Sequence, residues 1–212
     1  AGEVARVLAA NGFTVLLAQS DSPTPAISYA VKHNRAIAGV MITASHNAPR
    51  YNGVKLKGAF GGSALPEQCR RVEVYINDNE EQARGPNLMD FKKAREAKLI
   101  QKFNPLPAYF DHLRTLINTD TIADNPQRFV VDAMFGSGRG VIKSFLQGTG
   151  CEISEIRGEM NPGFGGVHPE PIAKNLGALA SAISAGMGTF GVVTDGDADR
   201  IGAMDERGTF VD

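Results

Sequence analysis

Phe190-Gly191-Val192-Val193-Thr194-Asp195-Gly196-Asp197-Ala198-Asp199-Arg200 runs from a short apolar stretch straight into three alternating carboxylates. The apolar part is short and bounded by glycine, as a fully buried strand of an α/β sheet is. The acidic part follows where the carboxyl end of that strand lies, which is where open α/β sheets place their ligands. Three carboxylates over five residues repel one another unless a cation holds them. All-oxygen donors suit a hard ion such as Mg²⁺ or Ca²⁺, whereas a softer metal prefers His or Cys. Asp195, Asp197, Asp199 and Glu206 also match positions one, three, five and twelve of an EF-hand loop. That reading is weak, because Arg200 stands where the loop needs glycine and both flanks are strand-like.

Working upstream, the same grammar recurs. Arg128-Phe129-Val130-Val131-Asp132-Ala133-Met134 reads as a strand, Gly136 to Gly140 as a turn and Val141 to Gln147 as a helix. Cys151 to Ile156 reads as a strand, Gly158 to Pro171 as a loop and Ile172 to Met187 as a helix. Gly136-x-Gly138-x-Gly140 lacks the spacing of a dinucleotide fingerprint and is explained as well by a tight strand-to-helix turn. Leu106 to Ile117 is an amphipathic helix that opens this module.

The front half alternates in the same way. Gly2 to Asn11 and Ala26 to His33 read as helices, and Phe13 to Ala18 and Ile37 to Thr43 as buried strands. That order implies a parallel sheet with crossovers. Ser22-Pro23-Thr24-Pro25 reads as a turn and Ala44 to Gly62 as loop. Leu65 to Arg84 and Asp90 to Ile100 read as helices. The predicted fold class is therefore α/β, as two consecutive three-layer α/β/α modules with mainly parallel sheets, 1–100 and 101–212. A unit of this kind normally opens with a strand, so the chain is expected to be truncated upstream of Ala1.

Composition narrows the function. Twenty-two Lys and Arg against 23 Asp and Glu leave a net charge of −1, without the basic excess of a nucleic-acid or membrane-surface binder. No apolar run is long enough to span a bilayer. Two distant cysteines, Cys69 and Cys151, fit a reducing cytoplasm better than a disulfide scaffold.

A second chemical feature, Thr43-Ala44-Ser45-His46-Asn47, ends the second front-half strand. The Ser45 hydroxyl there is placed to receive or donate a phosphoryl group, although a serine taken alone in such a place is more often a helix-cap or turn hydroxyl. In extended chain His46 would point to the opposite face and would not serve Ser45 as a base. Lys55, in Asn52-Gly53-Val54-Lys55, suits a phosphate contact or proton donor, or an ordinary surface lysine.

Taken together, these segments resemble the α-D-phosphohexomutase superfamily, specifically its phosphoglucomutase/phosphomannomutase branch. Gly39-Val40-Met41-Ile42-Thr43-Ala44-Ser45-His46-Asn47 resembles the phosphoserine signature, and Tyr51-Asn52-Gly53-Val54-Lys55 its continuation. Asp195 to Arg200 resembles the metal loop, with Ala198 where many members carry glycine. Asn161-Pro162-Gly163-Phe164-Gly165-Gly166 and His168-Pro169-Glu170-Pro171 lie between them in the familiar order.

The resemblance implies that Ser45 is the phosphorylated residue, and that Asp195, Asp197 and Asp199 hold Mg²⁺ with a phosphate oxygen on Ser45 completing the cluster. It implies that Lys55 is a general acid or base at the sugar hydroxyl. Arg200 and His46 would support charge, with Lys55 and Arg200 also contacting substrate. The implied reaction interconverts a hexose 1-phosphate and a hexose 6-phosphate through a hexose 1,6-bisphosphate, in the cytoplasm, with a small-molecule phosphosugar as partner. The family has four domains, so this chain is expected to be parts of domains 1 and 2 and inactive alone. A metal-dependent phosphatase, or a non-enzymatic Ca²⁺-binding module, is the alternative.

Overall fold

The computed structural model describes residues 1–211; Asp212, the last residue of the second expected module, lies outside them. The chain divides into two compact units. The first comprises Ala1–Asp21, Ile27–Ile42 and Val54–Pro105, and the second Ser22–Ala26, Thr43–Gly53 and Leu106–Asp212.

The first unit holds helix α1 (Gly2–Ala10), strand β1 (Val15–Ala18), most of helix α2 (Thr24–His33), strands β2 (Ala38–Ile42) and β3 (Val54–Gly58), helices α3 (Pro66–Glu81) and α4 (Phe91–Glu96), and strand β4 (Ile100–Phe103). Its core is built from small side chains. Ala5 and Ala9 of α1 pack with Ala94 and Ile100, flanked by Val15, Leu17 and Leu99. Small residues three and four apart let a helix lie close on its neighbours.

The pairing departs from the sequence reading. β1 pairs in parallel with β4, Val15 opposite Ile100. β2 pairs antiparallel with β3, Ala38 opposite Gly58 and Met41 opposite Lys55. Residues read as loop (Val54–Gly58) and as a helix end (Ile100) are strands. The chain returns on itself within a short stretch after β2, and such a closure costs less entropy than finding a distant partner. Helix α3 begins at Pro66, which needs no intrahelical donor there, and Gln68 accepts from the Leu65 N–H at 2.8 Å. None of its residues is buried, and Val72, Tyr75 and Ile76 stand exposed.

The second unit carries helices α5 (Leu106–Arg114) and α6 (Thr119–Asp124), strand β5 (Arg128–Asp132), helix α7 (Val141–Phe145), strand β6 (Glu152–Ile156), helix α8 (Gly177–Ser184) and strands β7 (Gly191–Thr194), β8 (Ile201–Met204) and β9 (Phe210–Val211). The sheet order is β6-β5-β7-β8-β9. β5 pairs in parallel with β6 and β7, and β8 and β9 extend the sheet antiparallel. Val130, Val193 and Met204 pack with Leu176, Leu179 and Ile183 under α8. Val131, on the opposite face of β5, is equally sealed, as expected of a sheet covered on both sides. Phe129 stacks on Phe190 at 4.9 Å, and Phe110 of α5 meets Phe145 of α7 at 5.6 Å. The flanks of the acidic loop are strands, β7 and β8, which is not an EF-hand. Among the described residues no helix is long and apolar enough to cross a membrane.

Candidate active site

The carboxyl ends of β5, β6 and β7 lie at one end of the parallel part of this sheet, and three loops leave from them. Backbone strain gathers there: Met134, Phe135, Arg157 and Ala198 all have positive φ, between 45° and 58°. Such conformations cost about 1–2 kcal/mol each in a non-glycine residue and persist only where the surroundings fix them. Ser45 shares the feature, with φ +55°.

The acidic loop is tied down on all sides. Gly196 N–H donates to the Pro169 carbonyl at 3.1 Å, the Ser137 N–H to the Gly196 carbonyl at 2.9 Å, and the Thr24 N–H to the Asp197 carbonyl at 2.9 Å. Gly136 has no room for a side chain, since a Cβ there would lie 2.7 Å from the Gly196 oxygen. Gly136 and Gly138 thus serve close packing, and Gly140 serves a left-handed turn with φ +69°.

Asp195 is fully buried. Its Oδ1 accepts from the Asp199 and Arg200 N–H groups at 3.0 and 3.1 Å, and its Oδ2 from Arg200 Nε at 3.1 Å. The Ser45 hydroxyl donates to that same Oδ2 at 3.1 Å, from 150 residues away in the chain. Arg200 Nη2 donates to Ser45 Oγ at 3.3 Å. Asp197 is 2% exposed and Asp199 is exposed; one carboxylate oxygen of each of the three aspartates lies within 4.8 Å of the others.

His46 differs from expectation. Its Nδ1 lies 3.4 Å from Ser45 Oγ, on the same side. The sequence argument assumes extended backbone at Ser45; the left-handed turn there brings the imidazole round instead. His46 Nε2 and Arg200 Nη1 both face Glu170 Oε1, at 3.7 and 3.8 Å. In the sequence Glu170 stands out only as part of the 168–171 run. Thr24 reads there only as part of a turn, yet its hydroxyl donates to Asp197 Oδ2 at 2.9 Å, and the Thr43 hydroxyl does so at 3.2 Å. Lys55 lies half-buried on β3 in the first unit, opposite Met41.

A buried carboxylate is costly without compensation. Here two buried carboxylates and a third beside them share one site, with the Arg200 guanidinium bonded into the group. The donors are all oxygen, the spacing is that of a shared ion, and a divalent hard cation fits. A hydroxyl beside such a cluster has the position from which it can act as a nucleophile or carry a phosphoryl group next to a charge-neutralising centre.

Comparison with known proteins places the chain in a class, the phosphoglucomutases and phosphomannomutases, whose α/β/α domains match both of its halves. Residues 1–83 match the phosphoglucomutase/phosphomannomutase α/β/α domain I, and residues 107–208 match α/β/α domain II. The chain belongs to the phosphoglucomutase/phosphomannomutase family. It is 31% identical over 192 residues to a phosphoglucomutase/phosphomannomutase of Thermococcus kodakarensis, covering 90% of this chain and 40% of the relative. It is 33% identical over 196 residues to a phosphoglucosamine mutase of Caldanaerobacter subterraneus, covering 90% and 40%. A crystal structure from Thermus thermophilus, described as a candidate phosphomannomutase, aligns with TM-score 0.80 and 34% identity over 97% of this chain and 46% of that one. The chain spans about two fifths of the length of the curated relatives it matches.

Proposed function

We propose that this chain carries the phosphoryl-exchange part of a phosphosugar mutase that interconverts hexose 1-phosphate and hexose 6-phosphate. The observation that carries the reading is the Ser45 hydroxyl at 3.1 Å from Asp195, inside a group of three aspartates and one arginine. Asp195, Asp197 and Asp199 would hold Mg²⁺, with an oxygen of the Ser45 phosphoryl group completing its shell. When bound, Mg²⁺ supplies charge neutralisation for a dianionic phosphoryl group.

The rest is the work of side chains. As the bond from phosphorus to Ser45 Oγ breaks, a bond from phosphorus to a sugar hydroxyl oxygen forms, and the hydroxyl proton passes to a base. Lys55 is assigned that acid–base role and, with Arg200, contact to substrate. Arg200, already bonded to Ser45 Oγ, bears on the oxygen that gains charge as the phosphoryl group leaves. His46, on the same oxygen, adds a second donor when protonated. A hexose 1,6-bisphosphate is the intermediate and serves to load Ser45. The reading extends to a cytoplasmic location, with which the two free thiols are consistent.

The test is peptide mass spectrometry after incubation of the natural protein with Mg²⁺ and a hexose 1,6-bisphosphate. The phosphoryl group should appear on Ser45 and move to added hexose 6-phosphate, and Ser45→Ala should abolish both. Release as inorganic phosphate at the rate of loss from Ser45 would instead make the protein a phosphatase.

A further inference from the structure

We infer that Thr24 and Thr43 form a hydroxyl clamp that sets the orientation of Asp197 as a cation ligand, a positioning role that rests on the metal-site reading above. Both hydroxyls donate to one oxygen, Asp197 Oδ2, at 2.9 and 3.2 Å. The carboxylate is 2% exposed and Thr24 4% exposed, so water contributes little to holding it. Thr24 also anchors the backbone at this point, its N–H donating to the Asp197 carbonyl at 2.9 Å.

The physical need is specific. Rotation of an aspartate carboxylate about its last torsion is broad and has no strongly preferred setting. Two donors on one oxygen fix that rotation, and groups that orient a ligand in this way commonly change metal affinity by about 10–100-fold when removed.

Thr43 does more than hold. Its hydroxyl donates to Asp197 while accepting the Ser45 N–H at 2.8 Å. Donor and acceptor functions of a single hydroxyl reinforce each other in such a chain. The backbone of the phosphoryl-carrying residue is thereby linked through Thr43 to a ligand of the ion that neutralises it. Neither threonine touches the reacting atoms, so both are positioning residues.

The experiment is Mn²⁺ binding to the full chain, read by loss of the free-ion electron paramagnetic resonance signal. Thr24→Val, Thr43→Val, Thr24→Ser and Thr43→Ser are compared with the wild type, and each protein's melting temperature is taken without metal. The clamp predicts that both valine variants bind about tenfold or more weakly, while the serine variants, which keep the hydroxyl, stay within about threefold of the wild type. Unchanged affinity in the valine variants with a binding wild type overturns the clamp alone. A loss that serine does not restore assigns the effect to packing and also overturns it. A wild type that binds no Mn²⁺ overturns the cation site and the clamp together.

Discussion

The Cα of Gly196 faces the backbone oxygen of Ser45 so closely that a Cβ built on it would collide with that oxygen. On its other side the same Cβ would meet Pro169 at 3.1 Å. The serine loop, the acidic loop and the 168–171 run meet at a point where only hydrogen fits.

Gly196→Ala should therefore push the serine loop away from Asp195. Forcing a methyl into a closed contact costs about 1–3 kcal/mol, and here backbone must move. The expected outcome is a lower urea midpoint together with a loss of Ser45 phosphorylation well beyond what the stability change explains. Normal phosphorylation with only the stability change would show that the approach is dispensable.

Asp197→Asn and Asp197→Ala should separate charge from hydrogen bonding. Asparagine keeps an oxygen for the Thr24 and Thr43 hydroxyls but loses the charge, so Mn²⁺ affinity should fall by about tenfold or more with the melting temperature nearly unchanged. Alanine leaves two hydroxyls unpaired in a closed site and should also destabilise, by about 1–3 kcal/mol. Paired metal titrations and urea melts on both variants check this.

Arg157→Met tests the ion pair beneath the site. Asp132 is fully buried and accepts from Arg157 Nε at 2.8 Å and from its Nη2, while the Met134 N–H donates to it at 3.0 Å. Removing one partner strands a buried charge and should cost about 3–5 kcal/mol in equilibrium unfolding. A cost below about 1 kcal/mol would show that loss of Arg157 leaves no stranded charge on Asp132.

Acid should loosen the β8–β9 hairpin. The Asp205 carboxyl is held below the ordinary aspartate range chiefly by the Thr209 N–H, aided by the Arg207 N–H, the Thr209 hydroxyl and the Arg207 charge, against a smaller opposing effect of desolvation. A lowered folded value means the ionised form favours the fold. That contribution is present above the ordinary aspartate range and is lost as pH falls through the folded value. Protection of the Thr209 and Phe210 amides, taken relative to the exchange rate of unstructured chain at each pH, should fall on acidification, and Asp205→Asn should remove that dependence.

Much of the site could be read from residue order, because its chemistry is concentrated in short runs. An apolar strand ending in Asp195-Gly196-Asp197-Ala198-Asp199 states both its place in a sheet and its capacity to hold a cation. What remained hidden was set by long-range geometry. β4 (Ile100–Phe103) has no alternation of its own and becomes a strand by pairing with β1 far upstream. β3 (Val54–Gly58) carries Val54 exposed and Lys57 buried, the reverse of the usual signal. The turn of His46 toward Ser45 follows from a φ of +55° at a serine, which no residue pattern announces. Thr24 and Thr43 look like turn and strand-end hydroxyls until the partner 173 or 154 residues away is known. For the same reason Asp197 reads as one of three repelling loop carboxylates, and nothing in the run announces that it is enclosed.

The second unit is assembled from three stretches of chain, two of them short pieces, Ser22–Ala26 and Thr43–Gly53, that leave and rejoin the first. Homologous recombination with a single crossover near residue 105 would hand a new partner the acidic loop but neither the serine nor the threonines that meet it. Hybrid chains made that way should inherit mismatched halves of one site. Successful shuffling requires the two small insertions to travel with the large C-terminal stretch as one heritable block.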